Sequence, residues 1–129
     1  LNLEDVSVGL PDVECDREMI SVVLQNLIEN SIKYSDNGDT VSINLSASKD
    51  TLDIKVHDTG IGIDHADQAS IFNKFFRASN AIEKDRIGSG LGLFTTKNIV
   101  DRHKGKIWFE SSKDRGTTFF VSLPISQSV

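Results

Sequence analysis

Leu52-Asp-Ile-Lys-Val-His-Asp58-Thr-Gly60-Ile-Gly62-Ile63 is the stretch on which the fold turns. In its first half Leu52, Ile54 and Val56 alternate with Asp53, Lys55 and His57, the pattern of a strand with one face on a core and the other in water. Its second half drops the alternation for two glycines. Asp58 stands at the change, and by parity its carboxylate belongs to the apolar side of the strand. A carboxylate there requires a donor. Two readings are open: the aspartate caps its own turn through the amides of Gly60 or Ile61, or it accepts from an exocyclic amino group such as that of adenine.

Upstream, Val41, Ile43, Leu45 and Ala47 alternate with Ser42, Asn44, Ser46 and Ser48, which pairs this run with Leu52–Val56 as a half-buried hairpin. Ser35 to Asp39, with Gly38 inside, is a turn. Before it, Arg17 to Tyr34 carries apolar residues at helical spacing (Ile20, Leu24, Leu27, Ile28), with Asp16 as its N-cap. Downstream, a short helical segment is expected around Gln68 to Phe76. Arg77 to Ile87 is polar and aperiodic, a mobile loop fit to act as a lid. A second helix should run from near Leu91 to Lys104 and stop at Gly105. Strands at Lys106–Ser111 and Thr117–Leu123 flank a turn at Asp114 to Gly116, and weaker strand signals lie at Val6–Leu10 and Val13–Cys15. This order favours an α/β (α+β) layered fold, helices gathered on one face of a mixed sheet.

The chain has 129 residues and 38% hydrophobic content, the size of one domain spanning 1–129. It starts at Leu1 and not Met, as expected of a piece of a longer protein, and no apolar run approaches the ~20 residues of a membrane span. Cys15 is the single cysteine, so there is neither an internal disulfide nor a cysteine-rich zinc site. A net charge of −5 argues against nucleic acid or an anionic membrane as partner.

Five of the nine glycines fall in two groups, Gly60 and Gly62, then Gly88, Gly90 and Gly92, on either side of the polar loop. The second group opens a helix, where exposed amides make a phosphate site; ordinary turns are the other reading. Known phosphate motifs fail. No Walker run is present, a Rossmann fingerprint would need glycine at Leu93 or His65, and the His-Arg-Asp and Asp-Phe-Gly triplets of eukaryotic kinases do not occur. On the first helix, Asn26, Asn30 and Lys33 form a polar stripe. Either it is a solvated face, or Asn30 offers its amide oxygen to a hard cation that also holds phosphates.

In order along the chain, Asn26-Leu-Ile-Glu-Asn30-Ser-Ile-Lys33-Tyr34-Ser, Asp58-Thr-Gly60-Ile-Gly62-Ile, Phe72-Asn-Lys-Phe75-Phe-Arg77, Gly88-Ser-Gly90-Leu-Gly92-Leu and Gly116-Thr-Thr-Phe-Phe match one family's boxes. The chain resembles the ATPase-like domain shared by sensor histidine kinases, DNA gyrase, the Hsp90 chaperones and the MutL repair proteins. The third box and the wording Asn-Ser-Ile-Lys-Tyr-Ser are most similar to histidine kinases. In hydrolytic branches a glutamate four residues before the metal-binding asparagine activates water; here that position is Asn26. Phe94 and Thr95 depart from the smaller or aliphatic residues usual after the last glycine box.

The resemblance implies a two-layer sandwich of the Bergerat type, with a mixed sheet of about five strands under helices. It implies ATP and Mg²⁺ as cofactors, Asn30 as metal ligand, and Asn26, Asn30 and Lys33 at the reacting phosphates. Asp58 would bind the adenine amino group and Gly60 and Gly62 would shape its pocket. Gly88, Gly90, Leu91 and Gly92 would border the phosphates, and Lys33, Tyr34 and Arg77 would line the nucleotide or its lid. The function implied is transfer of the γ-phosphoryl group to a histidine on a separate helical dimerisation domain, in two-component signalling. A response regulator receiver domain would be the next partner. The parent would be a homodimer, anchored in the inner membrane or not, while this piece would be a cytoplasmic monomer. A serine kinase, a hydrolytic ATPase and a domain that binds nucleotide only to regulate are the alternatives. None of His57, His65 and His103 has the acidic residue and nearby proline that follow the family's acceptor, so all three are read as structural.

Overall fold

A computed structural model describes residues 2–5, 13–14, 17–73 and 92–127. Its elements are β1 (Asn2–Asp5), β2 (Val13–Glu14), α1 (Arg17–Lys33), β3 (Thr40–Ala47), β4 (Thr51–Asp58), a 3₁₀ helix (His65–Ser70), α2 (Gly92–Arg102), β5 (Lys106–Ser112), β6 (Gly116–Pro124) and β7 (Ser126–Gln127). Five strands form one sheet in the order β1-β3-β4-β6-β5, and β2 pairs with β7 apart from it. β1 runs parallel to β3 and every other neighbour is antiparallel, so the expected mixed sheet of about five strands is present.

Alternation decides the two faces. In β4 the buried residues are Leu52, Ile54, Val56 and Asp58; the register sets Ile54 beside Val121 and Val56 beside Phe119 on β6. These join Val23 and Leu27 of α1 and Val100 of α2 in one core under the helices. Burying each such side chain fully contributes about 1.5–3 kcal/mol. The opposite face stays open: Trp108 stacks flat on Phe120 at 5.2 Å, with the Lys55 ammonium 5.9 Å from the Phe120 ring.

α1 buries Val23, Leu27 and Ser31, with Ile20 and Leu24 packed beside them. That stripe sits slightly round from the Ile20–Leu24–Leu27–Ile28 face that apolar spacing alone picks out, because it includes a serine. The second helix ends at Arg102, and the left-handed residue after it is Lys104 (φ 58), not Gly105. Gly105 answers a different need: a Cβ there would lie 2.5 Å from the Ser122 carbonyl oxygen.

Between the sheet and α2 the helical segment expected at Gln68–Phe76 is instead the 3₁₀ helix His65–Ser70, and positions 74–76 of that expectation lie outside the described residues. So do Asp16, the strand signal at Val6–Leu10, the loop Arg77–Ile87, and the start expected for the second helix at Leu91. The first strand lies earlier than that signal, at Asn2–Asp5. No helix among the described residues is long and apolar enough to cross a membrane.

Candidate functional site

The site is built where β4 runs out. Asp58 is fully buried, and the two oxygens of its carboxylate stand differently. Oδ1 accepts from the Gly60 amide at 3.0 Å and from the Thr117 amide at 3.2 Å, so it caps the turn and ties β4 to the first residues of β6. Oδ2 has no hydrogen-bond partner among the described residues. A buried carboxylate oxygen left without a donor costs at least about 1–3 kcal/mol. Burial pushes the Asp58 carboxyl above its ordinary 3.8, opposed by the Gly60 and Thr117 amides, by His57 next in the chain and by the Ser31 hydroxyl. The Ser31 hydroxyl is itself fully buried and falls short of a formed hydrogen bond to any described group.

Gly60 and Gly62 make the turn after Asp58 possible in a way that motif matching alone does not reveal. The Ile61 amide donates to the Tyr34 carbonyl at 2.9 Å, which draws the turn against the end of α1. A Cβ on Gly60 would stand 2.1 Å from that carbonyl oxygen; one on Gly62 would stand 1.9 Å from the Ser112 carbonyl oxygen, and Gly62 also has φ 69. The close approach is therefore of protein backbone to protein backbone. From the other side the Asp114 amide donates to the Ile61 carbonyl at 2.6 Å, so the β5–β6 turn closes over the loop.

Asn26, Asn30 and Lys33 are half-buried, so the stripe is solvated only in part. Asn26 faces the start of α2: its amide carbon and oxygen are the nearest atoms, at 3.9 Å, to a Cβ built on Gly92. Asn30 Nδ2 is buried and has no hydrogen-bond partner among the described residues. The Lys33 ammonium sits 5.8 Å from the centre of the Tyr34 ring, and Tyr34 is buried. Contacts thus join Asp58, Gly60 and Tyr34, with Lys33 beside Tyr34, and set Asn26 near Gly92, while Gly62 packs on Ser112 and no hydrogen bond is seen for Asn30 Nδ2 among the described residues. Arg77, Gly88, Gly90 and Leu91 lie outside the described residues.

Among the described residues no three His, Cys, Asp or Glu side chains form a metal cage. A hard cation that takes most of its shell from phosphate and water needs only a single amide oxygen from the protein, and Asn30 fits that demand. Two of the histidines have partners within the fold: His57 Nδ1 lies 2.7 Å from Thr118 Oγ1 across β4 and β6, and His103 Nδ1 2.8 Å from the Ile99 carbonyl.

Ser31 and Thr117 are parts of the site that the motif matches pass over without a role. A signal for Ser31 was present, since it stands four residues after Leu27 and eight after Val23, at a core position of α1. A polar residue there needs a reason.

Residues 15–127 match the family described as "Histidine kinase-, DNA gyrase B-, and HSP90-like ATPase". The sensor histidine kinase WalK of Bacillus subtilis (strain 168) is 40% identical over 125 residues, which is 92% of this chain and 20% of that protein. The mycobacterial sensor histidine kinase MprB superposes with a TM-score of 0.83 at 25% identity, over 98% of this chain and 85% of that one. Full-length ShkA in complex with AMPPNP superposes with a TM-score of 0.84 at 22% identity, over 99% of this chain and 26% of that one, a likeness of fold alone.

Proposed function

The chain belongs to the histidine kinase-, DNA gyrase B- and HSP90-like ATPase family, and from that premise we propose that it binds Mg-ATP and passes the γ-phosphoryl group to a histidine on a separate helical domain of its parent. It spans 20% of WalK, so most of such a parent lies elsewhere. The observation that carries the reading is the divided carboxylate of Asp58: one oxygen is spent on the fold, and the other is buried with no formed hydrogen bond among the described residues. An adenine amino group supplies a donor; guanine offers a carbonyl oxygen in its place and is repelled.

The rest of the pocket follows from charge. Asn30 would hold Mg²⁺, which when bound neutralises phosphate oxygens. Lys33, in the last turn of α1, adds a positive charge near the same helix end. The amides opening α2 supply donors to a phosphate, favoured by the helix dipole. Gly88, Gly90 and Leu91 before it, and Arg77, belong to this proposal through their motifs. Asn26 beside Gly92 is an amide, which takes no proton from water, so the arrangement favours transfer over hydrolysis.

In the parent we assign the same partners that the motifs imply: a dimerising helical domain carrying the acceptor histidine, and a response regulator receiver domain after it. The domain would work in the cytoplasm, within a homodimer. Incubating this chain with a γ-labelled ATP and the parent's helical segment tests the reading. Label should appear on that segment as an acid-labile, alkali-stable phosphohistidine, with only trace hydrolysis when the segment is left out. Acid-stable phosphoserine, or brisk hydrolysis without an acceptor, would move the chain to the serine kinase or hydrolytic branch.

A further inference from the structure

Ser111 lies on β5, 53 positions beyond Asp58 and in none of the glycine or asparagine boxes. Its hydroxyl nevertheless meets three groups of the pocket wall. The Ile63 amide lies 2.8 Å from Ser111 Oγ, the Gly116 carbonyl 3.1 Å and the Thr117 hydroxyl 2.7 Å. A serine hydroxyl donates one hydrogen and accepts two. One proton arrangement uses all of that capacity: Ser111 donates to the Gly116 carbonyl and accepts from the Ile63 amide and the Thr117 hydroxyl. The Gln68 amide then donates to the Ile63 and Ser111 carbonyls, each at 3.1 Å, closing the ring from the 3₁₀ helix.

What this ring fixes is the pair of segments that hold Asp58. Gly60, three residues before Ile63, and Thr117, next to Gly116, are the two amides bonded to Asp58 Oδ1. The orientation of Oδ2 is therefore set by where those two amides stand, and both stand where Ser111 clamps their neighbours. We propose that Ser111 is a positioning residue for base recognition, with Gln68 its support, acting through Ile63 and Thr117 on the carboxylate of Asp58. The inference rests on the reading of Asp58 as the group that selects adenine. Its distinct content is that a β5 serine outside every motif sets that selectivity.

The test is calorimetric titration with ADP and with inosine diphosphate, whose base has a carbonyl oxygen in place of the amino group. Wild type should prefer ADP; equal affinities would sink the adenine reading itself, before Ser111 is at issue. Given that preference, Ser111→Ala should lower ADP affinity by about fivefold to tenfold, the scale of one lost hydrogen bond. The ADP-to-inosine diphosphate ratio should fall with it, and Ser111→Thr, which keeps a hydroxyl, should restore the ratio. An unchanged ratio in Ser111→Ala, with both ligands bound as in wild type or both weakened equally, overturns the proposal. Gln68→Ala removes the supporting donors and leaves Ser111 in place. It should shrink the same ratio by a smaller factor, roughly twofold to threefold. If Ser111→Ala fails to fold, an unchanged ratio in Gln68→Ala overturns the proposal instead.

Discussion

Gly62 and Gly92 each belong to a Gly-x-Gly run, yet the fold asks different things of them. At Gly62 the backbone is left-handed and a Cβ would fall 1.9 Å from the Ser112 carbonyl oxygen; at Gly60 it would fall 2.1 Å from that of Tyr34. At Gly92, the first residue of α2, a Cβ would touch, among the described residues, only the Asn26 amide at 3.9 Å, an ordinary contact. The first pair are glycines because α1, the turn after β4 and the β5–β6 hairpin are wound tightly together. Among the described residues nothing crowds Gly92 in that way, so its reason is sought in what approaches the helix from outside them. Two glycine boxes of similar spelling thus divide into one that holds the protein together and one whose described glycine is uncrowded, as the proposed phosphate role requires.

The largest effect that follows is on folding. Gly62→Ala must strain a left-handed backbone, at about 1–2 kcal/mol, and force two backbone segments apart besides. A loss of more than about 4 kcal/mol is expected, the range of the most disruptive single substitutions. Urea denaturation should find Gly62→Ala, and likewise Gly60→Ala, largely unfolded; a midpoint near wild type would show that the turn gives way easily and that the comparison with Gly92 is empty.

Next in size is Asn30→Ala. If Asn30 is the protein's ligand to Mg²⁺, transfer to the helical segment should fall at least about 100-fold while the melting temperature stays within a few degrees. Loss of stability without loss of Mg²⁺-dependent binding would assign the asparagine to packing.

Asp58→Asn separates fold from recognition more finely. The Asn oxygen can still accept from the Gly60 and Thr117 amides, while its NH₂ replaces the orphaned Oδ2. Because the folded-state pKa of Asp58 is raised above its ordinary 3.8 by burial, the native state holds its proton to higher pH than the unfolded chain. Wild-type stability relative to Asp58→Asn should therefore fall as pH rises from about 3.8 through the raised native value and level off above it. Near neutral pH the variant should be as stable as wild type, or more stable by about 1 kcal/mol. Denaturation curves over that pH range check the sign; a relative stability that rises with pH would mean that Oδ2 finds a donor in the native state.

The smallest effect is expected at Gly92→Ala. Alanine is the better helix former by up to about 1 kcal/mol, less at a first-turn position, so thermal stability should hold or rise slightly while affinity for ATP drops more than affinity for ADP. Equal losses for both nucleotides would remove the phosphate role.

The strands around Asp58 were legible because one face of β3, β4 and β6 meets a core and the other meets water, and that contrast writes itself as alternation. The buried parity of Asp58 followed from the same rule. β1 was missed as an element: at four residues on the sheet's edge, beside β3 only, Asn2–Asp5 carries too little alternation to stand out. The site was legible in part. Residue types with a named chemistry, such as Asn30 and Asp58, drew attention, whereas Thr117 and Ser111 meet only because β4, β5 and β6 lie side by side. That proximity is a property of the sheet and has no local spelling. Lys104 shows the same limit at a helix end, holding the left-handed position while the glycine beside it serves the packing against β6.

The central claim is that Asp58 divides its carboxylate, one oxygen for the fold and one for an adenine amino group. Titration calorimetry of the chain with Mg-ATP and Mg-GTP, on wild type and on Asp58→Asn, addresses it most directly. Wild type should bind ATP and give no measurable heat with GTP, and Asp58→Asn should lose ATP binding by at least about 100-fold while melting no earlier than wild type. GTP bound as tightly as ATP, or an Asp58→Asn variant that binds ATP normally, would contradict it.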